Sequence, residues 1–592
     1  MASQTTNGNG VASKSAEKEE ASSQKKKGGN EDEEFDAVTD AIGAFGRWQL
    51  RLTFLLSLLN CPCTWHIFAL TFQSLQGDFW CAPPEDVEWL LKDRGINWRN
   101  FTRAYADDED GSDFDPCLTW DVDYDVILAS QHPVIPYNAS RKACTKWIFD
   151  ESKTGRTIVS QWSLVCSRKY LNEVAEMTFL MGVAIGGVVS GLLSDRFGRK
   201  KTLMTSLSLQ ILIGTILAAT PWLELYVILR FLLGFVSVSV VFSGFVICME
   251  IVGGKWRTIS GVSYLFPVPL SYIAIAGIAY LIRDWPMQQL AITLPAVLLL
   301  SLWWIIPESP RWLLAMGRIE EVLVILRQAS IVNKKPPPPP ADKFLAHANA
   351  NSVSNAAEDE NARKSGFLDL FRTPNIRRNS LLLYILWFVL YFVYYGLVLN
   401  LSNIGGNIYV NTVLSGAVEL PAIAMCILFL LRSGRRWPLS LSMLGSGISC
   451  LLTLTVPQGR SELEWVTVAM AMCGKFAIST SNAMLPVFTA ELFPTVVRNL
   501  GVGSSNIPAG VALMLVPYLW NLSTVASGLP MGLLGTLGVI GGVCTLFLPE
   551  TANCTLPQTI EEGEELARKR KQQKKSEKEE KIENYKMKDN AS

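Results

Sequence analysis

A few ionisable side chains stand inside stretches otherwise built for lipid, and these are the residues that could handle a solute. Glu419 lies in Gly416-Ala417-Val418-Glu419-Leu420-Pro421. A carboxylate inside an apolar span is expensive, so a functional role is its default reading. It could attract a cation or carry a coupling proton. Its structural alternative is a gating ion pair, for which Arg230 and Lys475 are candidate partners. Either base could instead snorkel to the interface. His66 is the histidine set well within an apolar stretch; it could relay protons or line a pore as a hydrogen-bonded ring. Trp387, Phe388, Tyr391, Phe392, Tyr394 and Tyr395 crowd a further apolar segment, where some must face lipid or pack.

The most specific local pattern is Gly191-Leu192-Leu193-Ser194-Asp195-Arg196-Phe197-Gly198-Arg199-Lys200-Lys201. Gly191 would permit close helix approach, and Gly198 a tight reversal. Asp195, Arg196 and Arg199 can make charge-assisted contacts with neighbouring helix ends, contacts that must break and re-form if two bundles rock. A basic turn alone would need no more than positive-inside charge, but the whole G-x3-D-R-x-G-R-K string asks for more. Gly434-Arg435-Arg436 echoes it at the corresponding place in the second half, as expected of two parallel six-span halves.

Holding such residues in lipid takes helices that satisfy their own backbone polar groups. Apolar residues make up 49% of the 592 and charged residues only 18%. The charges crowd into both ends, one early insert and one central loop, so the equal counts of 53 basic and 53 acidic residues say little. About twelve segments come near the ~20 residues needed to cross a bilayer: 50–71, 174–193, 202–220, 223–251, 258–282, 288–306, 381–399, 408–431, 439–456, 466–488, 500–519 and 531–548. Only Pro221-Trp222 parts the third from the fourth. Arg196, Arg199, Lys200, Lys201, Lys255, Arg257, Arg432, Arg435 and Arg436 fall in loops on one side, with both tails and the central loop. By the positive-inside rule that side is cytoplasmic.

The insert at 72–173 is then extracellular. Cys81, Cys117, Cys144 and Cys166 supply an even number of thiols for disulfides, with three pairings open. Asn100-Phe101-Thr102 and Asn138-Ala139-Ser140 are glycosylation sequons. Cys248, Cys426, Cys450, Cys473 and Cys544 lie within spans and read as small packed apolar residues.

Several long strings together resemble the organic cation, anion and zwitterion carriers of the major facilitator superfamily. They are Cys144-Thr145-Lys146-Trp147-Ile148-Phe149-Asp150, Gln161-Trp162-Ser163-Leu164-Val165-Cys166, Arg283-Asp284-Trp285, Pro307-Glu308-Ser309-Pro310-Arg311-Trp312, Asp369-Leu370-Phe371-Arg372-Thr373-Pro374, Ala490-Glu491-Leu492-Phe493-Pro494 through Arg498-Asn499-Leu500-Gly501, and Leu548-Pro549-Glu550-Thr551. The resemblance implies an all-α membrane protein with the major facilitator fold, twelve transmembrane helices in two six-helix bundles and a large disulfide-bearing extracellular loop. It implies a network of charges at cytoplasmic helix ends that stabilises the outward-open state. By position its members are Asp195, Arg196, Arg199, Glu250, Arg257, Glu308, Arg311, Arg435, Arg436, Glu491, Arg498 and Glu550. It also implies that Trp387 and Tyr394, with Tyr391 beside them, face the solute cavity, where ring faces can hold an ammonium. The eleventh-span position that is acidic in cation carriers and basic in many anion and carnitine carriers is Gly510 here, so neither preference is declared.

The implied function is a plasma-membrane carrier for small organic cations or zwitterions, such as carnitine-, carcinine- or β-alanine-like amines. The alternatives are an organic anion exchanger, favoured by Lys475, and a non-transporting receptor on a carrier fold. Expected boundaries are a disordered cytoplasmic tail at 1–42, bundles at 43–306 and 379–550, a central loop at 307–378 and a charged tail at 551–592. No signal peptide is expected. An amphipathic helix is expected over 309–330, and Pro336–Pro340 is a polyproline II candidate for an SH3 or WW domain. No phosphate-binding G-x-x-x-x-G-K-[ST] loop, metal cluster or nucleophile–base constellation is present in the sequence, which argues against an ATP-driven pump, an enzyme, a bound cofactor or a nucleic-acid partner.

Overall fold

The computed structural model describes residues 37–84, 87–94, 98–99, 104–105, 114–129, 135, 139–341, 369–399, 406–457, 463–551, 562 and 564. Among the described residues, eleven helices are long and apolar enough to cross a bilayer: Arg47–Gln73, Cys166–Phe197, Arg199–Ala218, Leu223–Glu250, Trp256–Leu281, Trp285–Trp304, Pro374–Leu399, Ile408–Arg432, Arg436–Thr455, Leu500–Thr524 and Leu529–Leu546. The 29-residue helix Glu464–Leu492 supplies the tenth of twelve spans. The third and fourth spans part at 219–222, where Pro221 ends any continuation.

Two spans are broken where later contacts need it. The first consists of Arg47–Ser57 and Asn60–Gln73, and the fifth of Gly254–Ser263 and Pro267–Leu281. Asn60 ties the two breaks together, its Nδ2 donating at 3.0 Å to the carbonyls of Ser57 and of Tyr264. Within the first half, the second and fourth spans cross on glycine. A Cβ on Gly182 would stand 2.1 Å from the Phe231 carbonyl oxygen, and one on Gly234 2.2 Å from that of Phe179, so the backbones can touch only because both side chains are absent.

The insert between the first two spans folds partly into two-stranded antiparallel sheets, among them Phe79–Cys81 with Trp147–Phe149 and Leu118–Trp120 with Arg141–Ala143. These sheets bring the four cysteines into one of the three pairings the sequence left open, Cys81–Cys144 with Cys117–Cys166. Asn100 and Asn138 lie outside the described residues. Of the span cysteines, Cys248, Cys426 and Cys450 are buried, but Cys473 is exposed on the tenth span, contrary to the packed role expected of it.

On the opposite face, the expected amphipathic helix at 309–330 is two helices, Pro310–Ala315 and Ile319–Asn333. Gly317, at φ +72°, makes the turn between them. Part of the segment expected to be a free tail is ordered here. Ala37–Ile42 is helical, with Val38 and Ile42 buried against Leu313, Val322, Leu326 and Ala329. Asn333 fastens this contact: its Oδ1 accepts from the Trp48 amide at 2.9 Å, and its Nδ2 donates to the Ile42 carbonyl and Gln49 Oε1. Glu564 of the other tail caps the seventh span, accepting from the amides of Asn375 and Ile376.

The two halves meet on the side that carries the insert. Tyr409 stacks on Phe72 at 5.7 Å and edges onto Tyr280 at 5.5 Å, and the Tyr518 hydroxyl lies 3.3 Å from Met177 Sδ. On the far face, Gly191 has open space where a Cβ would point, and Asp195 is exposed. The close approach expected at Gly191 is therefore not made in this posture; that role falls to Gly182.

Candidate functional site

Where the halves touch, four side chains close into one cluster. Glu419 on the eighth span and Lys475 on the tenth form an ion pair, Nζ to Oε2 2.9 Å, with side chains 5% and 2% exposed. Tyr394 on the seventh span donates its hydroxyl to Glu419 Oε1 at 2.8 Å. The Lys475 ammonium sits 3.5 Å from the centre of the Tyr394 ring and 5.6 Å from that of Tyr272. Tyr272, on the fifth span, belongs to the other half, and its hydroxyl lies 3.0 Å from that of Tyr394. Phe68 packs edge-on against Tyr272 at 4.5 Å.

Helix spacing explains the convergence. Trp387, Tyr391 and Tyr394 recur at intervals of four and three and so share a face of the seventh span. Tyr391 stacks on Trp387 at 5.5 Å and lies 5.7 Å from Tyr395. Trp387 is turned into the second half, its Nε1 donating to Thr489 Oγ1 at 2.9 Å. The result is a wall of rings ending at a neutral, dry charge pair. Such a pair persists because each charge answers the other, and the Tyr394 hydroxyl adds a donor to the carboxylate.

Other candidates lie elsewhere. Arg230 is remote from Glu419: it stacks over Phe179 at 4.3 Å and donates from Nη1 to the His66 carbonyl at 3.1 Å, inside the first half. Lys475 is the base that meets Glu419. The His66 ring faces the third and sixth spans, with Gln289 Nε2 3.4 Å from Nδ1 and Gly214 against Cε1. It is enclosed within the first bundle and does not face the second half. Gly510 lies between the halves, where a Cβ would come 2.8 Å from that of Ala184. The sequence reading missed Tyr272 altogether; its signal, a tyrosine hydroxyl in the otherwise apolar run 267–281 that also holds Ser271 and Tyr280, is weaker than a charge.

The charged residues form two matching clamps on the face opposite the insert. In the first half Arg199 bonds Asp195 and reaches Glu250 at 3.2 Å, while Glu308 Oε1 accepts from the Lys200 amide at 2.8 Å. In the second half Arg435 grips Glu491 at 3.0 Å, and Glu550 accepts from the amides of Arg435 at 2.9 Å and Arg436 at 3.1 Å. Gly198 (φ +104°) and Gly434 (φ +82°) make the turn in each. Glu308 and Glu550 thus each cap a helix N-terminus, where backbone amides favour negative charge. Arg196 lies over the Phe197 ring, Arg257 donates to the Val252 carbonyl, and Arg311 and Arg498 have partners of their own.

Comparison with known proteins agrees with this architecture. Residues 151–581 match the sugar (and other) transporter family. The chain is 38% identical to a Drosophila melanogaster organic cation transporter protein over 90% of its length and 95% of the relative's. It is 32% identical to a Drosophila beta-alanine transporter, covering 90% of this chain and 89% of that one. Mouse solute carrier family 22 member 21 is 33% identical, covering 92% and 96%. Among solved structures, the proton:xylose symporter XylE superposes with a TM-score of 0.58 at 17% identity over 88% of this chain and 99% of its own, a likeness of fold. The chain is therefore a multi-pass membrane transporter, not an enzyme, and belongs to the organic cation and anion carrier family of the major facilitator superfamily.

Proposed function

We propose that this chain carries small amine-bearing organic solutes, cations or zwitterions, across the plasma membrane by alternating access, with the Glu419 cluster as the solute site. One observation carries the reading: a buried carboxylate, an ammonium and two tyrosines sit where the halves meet, so taking up a solute there and moving the halves are one event. Solute sites of such folds lie near the midplane between the bundles. The names of the organic cation and beta-alanine carriers among the relatives favour amines. Basic loops on the clamp face favour placing that face and both termini in the cytoplasm, which makes the present posture one closed toward the outside. The clamps then act as conformational residues, and Trp387, Tyr391 and Tyr394 supply ring faces for an ammonium. Of the proline run, Pro336, Pro337, Pro339 and Pro340 are exposed, as an SH3 or WW partner would require.

Uptake of labelled amines by cells expressing the chain, with pH and sodium varied, tests this reading. Accumulation above mock-transfected cells, lost in Glu419→Gln, is expected. Absence of accumulation across cations, zwitterions and anions, with the protein at the surface, would favour a receptor. Uptake confined to organic anions would favour the exchanger.

A further inference from the structure

Resting on that reading, we infer that the Glu419–Lys475 pair selects zwitterions over monovalent cations by exchanging partners with the solute: the solute's ammonium takes Glu419 and its carboxylate takes Lys475. The electrostatics of a dry site require this. Empty, the pair sums to zero and is almost wholly excluded from water. A monovalent cation added beside it would leave one uncompensated positive charge in a buried place, which is strongly disfavoured. A solute bearing both charges leaves the total at zero before and after binding, and each protein charge gains a partner as it loses one.

The surroundings fit both ends. The ring faces of Tyr394 and Tyr272 already bracket an ammonium, that of Lys475. A solute ammonium drawn to Glu419 would find the same faces. The Lys475 ammonium has three donors, and among the described residues Glu419 is its one ionic partner. A carboxylate could therefore be accepted there, with the Tyr272 hydroxyl as a second donor once it is released from Tyr394. Because Tyr272 comes from the other half, exchange requires the Tyr272–Tyr394 contact to open. Gly510 is consistent with this division: at the eleventh-span position it contributes no charge of its own, so the balance is set by Glu419 and Lys475.

The test measures uptake of labelled β-alanine, carnitine and tetraethylammonium by the full chain, Lys475→Met, Lys475→Gln and Glu419→Gln, each normalised to surface protein. The wild type should take a zwitterion in preference to tetraethylammonium. Removing the lysine should cut zwitterion uptake by at least about thirtyfold, as loss of a buried charge partner does, and should raise tetraethylammonium uptake. Wild-type preference for tetraethylammonium, or lysine variants that leave both solute classes unchanged, overturns the exchange while leaving the solute site in place. Should the wild type accumulate none of the three, the transport reading itself fails. If neither lysine variant reaches the surface, protection of the purified wild-type protein against heat decides the matter: protection by β-alanine or carnitine but not by tetraethylammonium supports exchange, and the reverse overturns it.

Discussion

Neutralising Glu419 or Lys475 singly should damage the fold more than neutralising both. At 2.9 Å and an effective dielectric near 20, two unit charges attract by roughly 6 kcal/mol before desolvation is counted. Taking both ions out of water offsets much of that, so the pair adds little net stability. Removing one partner leaves the other charge in a site that is nearly closed to water, at a cost of about 3–5 kcal/mol. Among the described residues, Glu419→Gln leaves the ammonium two ring faces, and Lys475→Met leaves the carboxylate the Tyr394 hydroxyl. The double variant strands neither and should be no less stable than either single one. Unfolding of the purified protein in detergent, followed by tryptophan fluorescence, closes the cycle. A coupling of at least about 2 kcal/mol is expected between contacting charges. Effects that add to within about 0.5 kcal/mol, the behaviour of independent sites, would refute the burial and pairing argued here.

Three further outcomes follow from the packing. Gly510→Leu pushes against Ala184 and should part the halves on the insert side; spin labels at positions 192 and 503 on the opposite side should move closer together by double electron–electron resonance. Glu550→Gln weakens two capping hydrogen bonds at once and should cost about 1–2 kcal/mol in melting experiments, with Glu308→Gln, which weakens one bond to the facing helix, costing less. Asn333→Ala removes three hydrogen bonds to the segment leading into the first span; hydrogen exchange over 37–57 should rise at least about tenfold, since each bond contributes about 1 kcal/mol.

Hydropathy made the spans legible, because a helix in lipid must be apolar for nearly its whole length. Even the Pro221-Trp222 division between the third and fourth proved a true break. Glu419 announced itself for the same reason: a charge is conspicuous against such a background. Its partner was not legible. Arg230 and Lys475 look alike along the sequence, and only the arrangement of helices puts one at 2.9 Å and the other against Phe179. His66 misled similarly, since depth in the membrane says nothing about which way a side chain turns. Cysteine pairing waited on the strands that bring Cys81 to Cys144. The break at Gly317 could have been read, glycine being a common helix terminator, but the amphipathic pattern on either side of it masked the interruption.

The symmetry of the ends and the asymmetry of the centre together suggest how binding moves the molecule. Each half closes its own clamp with the same kinds of part, an arginine on a glutamate and a second glutamate on the backbone amides that open the facing helix. On the proposed reading, those clamps hold each half together as a unit. At the centre the parts are divided unequally: Glu419, Lys475 and Tyr394 belong to the second half, and Tyr272 to the first. A solute that attracts Glu419 and Lys475 therefore acts on one body while disturbing the hydroxyl contact that holds the other. Tyr394 links the two events, since the same hydroxyl bonds Glu419 and touches Tyr272. Tyr394→Phe removes that link while keeping the ring beneath the ammonium. It should therefore slow transport more than it weakens solute binding, a separation that equilibrium binding and uptake measured on the same preparation would reveal. Equal losses in both would mean that Tyr394 only binds.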